Sequence, residues 1–159
     1  MTMISEEKIV NWLAVKSDAN VKMFPEREEL TQLRLQKLLY FLQGTYLSLY
    51  NEKLFDDKFV HKKLGPVAEN SHAKYIGKRN INSLINWEQA IKDFSELNSR
   101  PKVNSVLNSV FNKYADVSTS KLVDITHQQK PWNSVKQDEE ITPEILKEFF
   151  DSIVVRVNE

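Results

Sequence analysis

The clearest periodicity in the chain begins at Thr31 and places Leu35, Leu38, Leu39, Leu42, Tyr46 and Leu49 on one face at three- and four-residue steps, with Tyr40, Phe41 and Leu47 widening the stripe. This predicts a central helix, N-capped by Thr31 and stopped at Asn51, with neighbours on several sides. Ahead of it, Ser5 caps a first helix carrying Ile9, Trp12 and Leu13, with Glu6 and Glu7 in its first turn; it is expected to end near Ser17, with residues 17–20 as the following loop. Pro101 opens a third amphipathic stripe through Val103, Val106, Leu107, Val110, Phe111 and Tyr114. Ser118 caps another helix that reaches about Thr126. Thr142-Pro143-Glu144 starts a last one over about 142–154, with Ile145, Leu146, Phe149, Phe150 and Ile153 inward.

Between these helices the pattern changes. Residues 53–64 read as a turn followed by one short strand near 58–64, because Gly65-Pro66 prevents a helix from running through. Pro66 then suits the first position of a new helix ending about Gly77. Residues 78–100 predict one short helix or two fragments. The fold class that follows is mainly α: a compact single-domain helical bundle over residues 1–159 with a small β element.

Composition narrows the function classes. The 159 residues carry 22 basic and 22 acidic side chains, so no overall field draws the chain to phosphate backbones or anionic lipid, and nucleic acid is disfavoured as a main ligand. No cysteine is present, which removes disulfides, thiolate metal sites and thiol nucleophiles. The N-terminal residues lack a basic start and apolar run, and no later run approaches the roughly 20 apolar residues of a membrane span, so a cytoplasmic protein without a membrane partner is expected.

The search for reactive groups assigns no catalytic, cofactor-binding or metal-ligating residue. His61, His72 and His127 have no ligand spacing, Asp56-Asp57 reads as turn chemistry, and there is no phosphate loop or nucleophile with an evident base. An enzyme is therefore not expected. His61, Lys62 and Lys63, with Lys74, Lys78 and Arg79 further on, form a basic run that is either solvated surface or a partner-binding patch. Trp132, directly after Pro131, reads as a closure residue folding back on the core, with Thr126 and His127 satisfying backbone groups where the preceding helix ends.

Three stretches have residues that amphipathicity does not require: Leu35-Gln36-Lys37-Leu38-Leu39-Tyr40, Gly65-Pro66-Val67, and Thr126-His127 followed by Pro131-Trp132. In that order, with Gln43-Gly44 and Leu54-Phe55 between them, they resemble the Panacea antitoxin domain family, also described as SocA-like or phage-associated GepA-like proteins. The resemblance covers about residues 30–135. Where the family has a Trp-containing segment before Gly-Pro, this chain reads Val60-His61-Lys62-Lys63-Leu64.

The resemblance implies a cytosolic, non-enzymatic antitoxin, often prophage-associated, that needs no cofactor and binds a cognate toxin encoded by an adjacent gene. It leaves two mechanisms, direct occlusion of the toxin and delivery of it to a cytosolic protease. The competing classes are an enzyme acting on a small molecule and a phage-associated nucleic-acid-binding regulator.

Overall fold

A computed structural model describes residues 3–154. The expectations that reach Met1 and Thr2, or the chain end after 154, lie outside the described residues.

Helix α2 (Gln32–Tyr50) is the axis of the molecule. Thr31 accepts the Arg34 N–H as N-cap, and Asn51 ends the helix in the left-handed region at φ 54°. Leu35, Leu38, Leu39 and Leu42 are buried. Around α2 pack α5 (Pro101–Tyr114), α6 (Thr119–His127), α8 (Pro143–Ile153) and one strand of a small sheet. Phe150 of α8 lies so close to α2 that a Cβ at Gly44 would overlap its ring. Phe41 stacks on Tyr114 of α5 at 4.2 Å between centroids, and Tyr40 meets Phe150 edge-on at 5.4 Å.

Helix α1 (Glu6–Met23) pairs with α4 (Trp87–Asn98). It continues six residues past the expected end near Ser17, because Ser17 is buried and Asp18 and Lys22 form an i,i+4 ion pair across the expected loop. Polar ties fix the pairing: Asn11 donates to Asp93 at 2.8 Å, and the Trp12 indole N–H donates to Asn98 at 2.9 Å. Residues 78–100 resolve into a 3₁₀ turn at Asn82–Leu84 and α4, which Asn86 caps.

The sheet has three antiparallel strands, β1 (Phe59–Lys62), β2 (Gly65–Ala68) and β3 (Glu140–Ile141), in the order β2-β1-β3. β1 and β2 form a hairpin with Lys62 opposite Gly65 and His61 opposite Pro66. The helix expected to begin at Pro66 therefore starts later, as α3 (Glu69–Tyr75). Pro66 sits in an edge strand, where a residue without an N–H is tolerated as readily as at a helix start. In α8 the inward face is narrower than expected: Leu146 and Phe150 are buried, whereas Ile153 is 40% exposed.

Candidate functional site

The residues that amphipathicity does not explain gather at the β1–β2 hairpin. Gln36, Lys37, Tyr40 and Gln43 project from α2 and are all buried. Gln36 accepts the Ala68 N–H at 2.7 Å and donates to Ser71 Oγ at 3.0 Å, fixing the junction between β2 and α3. Gln43 donates to the Phe55 carbonyl and accepts the Leu54 N–H, at 2.7 and 2.8 Å. The Tyr40 hydroxyl donates to Gln129 at 2.7 Å, ahead of α7 (Lys130–Asn133). Three of these four side chains bind main-chain groups: Gln36 and Lys37 those of the edge strand β2, and Gln43 those of the irregular segment at residues 54–55.

Lys37 is the least ordinary member. Its Nζ donates to the Pro66 carbonyl at 3.3 Å, and burial lowers its pKa from 10.5 to about 7. Gly65 makes this possible: at φ +121°, a Cβ there would lie 2.8 Å from both Lys37 Cε and Thr126 Oγ1. Thr126 donates to the Val123 carbonyl within α6 at 2.9 Å, as expected of a residue near a helix end.

Trp132 lies in α7, flat between two imidazoles, with ring centroids 4.0 Å from His61 and 4.2 Å from His127. Its indole N–H donates to the Lys62 carbonyl at 2.8 Å. Since a carbonyl can only accept, His61 Nδ1–H donates to the Trp132 carbonyl at 2.7 Å and His127 Nε2–H to the Lys63 carbonyl at 3.1 Å. Trp132 thus closes against the hairpin rather than the central core, and His127 satisfies the hairpin turn instead of the end of α6. Pro131 is buried in the first turn of α7 and does not itself end α6, which stops at His127. His72 stands on α3, outside the stack that the other two histidines make with Trp132, and no group of three or more His, Asp or Glu suited to a metal ion is present among the described residues.

Two polar roles have no local signal in the sequence. Asp57, expected to serve a turn, is buried and accepts the N–H groups of Asn70 and Ser71 at 3.0 and 3.3 Å, capping α3 from a distance because Ala68 at the N-cap has no side-chain acceptor. Arg34 donates to the Tyr114 and Val117 carbonyls at 2.8 and 2.7 Å, which ties the end of α5 to α2.

Beside the hairpin runs a groove of about 810 Å³. Thr31, Gln32 and Leu33 at the start of α2 form one side. Lys62, Lys63 and Leu64 of the hairpin form another, and residues 77–79 a third. The Gln32 N–H donates to the Arg79 carbonyl at 2.8 Å, and Thr31 and Asn80 form a β-bridge, so this third wall is held against the helix. The structure therefore gathers Lys62, Lys63, Lys78 and Arg79 around one opening, whereas His61 faces Trp132 and Lys74 lies over the Tyr75 ring elsewhere.

No helix among the described residues is long and apolar enough to cross a membrane. No curated protein and no solved structure matches the chain. A family profile does match: that of the antitoxin SocA-like, Panacea domain, over residues 35–133, which begins with the buried polar side chains of α2 and ends just after Trp132. By this match over more than half its length, the chain belongs to the SocA-like Panacea domain family.

Proposed function

We propose that the protein is an antitoxin that neutralises a cognate protein toxin by direct complex formation, without catalysis of its own. The family match over residues 35–133 carries this reading. Its physical support is the use made of the matched residues. Gln36, Lys37, Gln43, His61, His127 and Trp132 make hydrogen bonds to main-chain groups, which holds the hairpin, the segment at residues 54–55, the start of α3 and α7 in one arrangement. Such a frame preorganises a surface, and preorganisation reduces the ordering cost of binding.

The test is co-production of this chain with the product of the neighbouring gene. Growth arrest by the neighbour should be relieved and the two chains should co-purify in fixed stoichiometry. Relief that persists in cells lacking the main cytosolic proteases supports occlusion. Relief that vanishes in those cells assigns the chain to toxin delivery instead, and a neighbour that is neither toxic nor bound removes the antitoxin reading.

A further inference from the structure

We infer that the groove beside the hairpin is a docking site for an extended acidic segment of a protein partner, anchored by an apolar side chain. The inference rests on the antitoxin reading for the identity of the partner, and on the groove itself for its chemistry.

Charge is the first argument. Lys62, Lys63, Lys78 and Arg79 line the groove, against Glu28 as the acid among its lining residues, in a chain whose total charge is zero. Lys62 is engaged by Asp138 at 2.5 Å, but Lys63, Lys78 and Arg79 form no ion pair among the described residues. Burial, then Lys62 and Lys37 together, depress the pKa of His72 on the groove wall, so the positive potential there is felt by a neighbouring group. A carboxylate entering the groove would find cations not neutralised by the protein itself.

The apolar lining is the second argument. Leu64 occupies the tip of the hairpin turn, a place that ordinarily takes Gly, Asn or Asp, and is 50% exposed. With Leu33 and Val67 it gives the groove an aliphatic side. That composition selects among anions. No Phe, Tyr or Trp lines the groove, and His72 is the one ring among its lining residues, so the groove lacks the succession of aromatic faces on which single-stranded bases stack, whereas a leucine or isoleucine side chain between carboxylates covers Leu64 and reaches the cations together. The wall is also fixed in advance, because the main-chain bond from Gln32 to Arg79 holds residues 77–79 against the start of α2.

The experiment is fluorescence anisotropy on the full chain with three labelled probes: a short peptide alternating acidic residues with leucine, the same peptide with serine replacing leucine, and oligothymidylate of equal length. The leucine peptide should bind saturably and more weakly as salt is raised. The serine peptide should lose about tenfold or more, as should the leucine peptide against Lys63→Glu/Arg79→Glu and against Leu64→Ser, while Lys92→Glu on α4 changes nothing. These substitutions are at surface positions, and an unchanged melting curve establishes that each variant is folded. Absence of saturable peptide binding, equal binding by the groove variants, or tighter binding of the oligonucleotide overturns the inference. Growth rescue separates the two readings. If the double variant loses the peptide yet still rescues cells from the neighbouring toxin, the groove is not the toxin-docking surface and the antitoxin reading stands. If the unaltered chain fails to rescue, that reading falls whatever the peptide shows.

Discussion

The Lys37 ammonium lies 3.3 Å from the Pro66 carbonyl oxygen, with Gly65 directly against its side chain and no carboxylate among the described residues in ion-pair contact with it. One main-chain hydrogen bond does not replace the hydration of a buried cation. The structure holds its pKa at about 7, against 10.5 for an exposed lysine. Between those values the unfolded chain keeps a proton that the folded chain has released, so this group makes stability rise with pH there and opposes folding most below about pH 7. Lys37→Met fills a similar volume without charge. It should be more stable than the parent in acid, with the difference shrinking as pH approaches 10.5; urea melts across that range measure it. A constant difference at every pH would show that Lys37 is charged in the folded state throughout.

Glu6 carries the opposite dependence. No donor reaches its Oε2, and burial, followed by the hydrogen bond and like charge of Asp57, raises its pKa from 4.5 to about 9. Here the folded chain keeps the proton and the unfolded chain loses it, so the Glu6 contribution falls as pH rises from 4.5 and levels off above about 9. Glu6→Gln retains a donor toward Asp57 and removes the titration, and should stabilise the protein at neutral pH but not in strong acid. Between about pH 7 and 9 the slopes of Glu6 and Lys37 oppose each other. The parent stability should be nearly flat in that window, while each single variant reveals the slope of the other group.

Gly65 and Gly77 both have positive φ, at +121° and +81°, but differ in surroundings: a Cβ at Gly65 meets Lys37 and Thr126, while one at Gly77 meets nothing within 4 Å. Each alanine substitution should carry backbone strain of about 1–3 kcal/mol. Gly65→Ala should be the more damaging of the two by denaturant melts, and the excess measures how tightly the hairpin is laid over Lys37. Equal losses would mean that Lys37 and Thr126 move aside freely.

What could be read from the chain depended on how local the chemistry was. Thr31, Ser118 and Thr142 each accept an N–H three residues on, and Asn51 adopts its left-handed stop, so these helix limits are legible from short stretches. Strand β2 was not, because Gly65-Pro66 satisfies the rules for a helix start as well as those for an edge strand, and pairing with β1 and contact with α2 decide between them. The same holds for Asp57, whose capping of α3 spans a hairpin, and for Lys37, whose acceptor on Pro66 lies 29 residues away along the chain. Of the basic run around the hairpin, sequence separation hid which members share a surface. The bond from Gln32 to Arg79 brings residues 77–79 to Lys62 and Lys63, while stacking on Trp132 removes His61 from that set.

Trp132 tests whether the clamp between α6, α7 and the hairpin is structural. Its indole stacks on His61 and His127 and bonds the Lys62 carbonyl at 2.8 Å, so Trp132→Ala removes two ring contacts and leaves that carbonyl without its donor. The side chain is only partly buried, which places the expected loss below the 3–5 kcal/mol of a fully buried aromatic, at about 1–3 kcal/mol. Trp132→Phe keeps a ring between the imidazoles and loses the indole N–H, so its loss should be the smaller of the two. Because His61 and His127 also hold the Trp132 and Lys63 carbonyls, the alanine variant should loosen the hairpin that carries Lys62, Lys63 and Leu64. The unfolding midpoint and partner binding should then fall together in Trp132→Ala, with faster amide exchange in β1 and β2. An unchanged midpoint accompanied by lost binding would instead make Trp132 itself a contact residue for the partner.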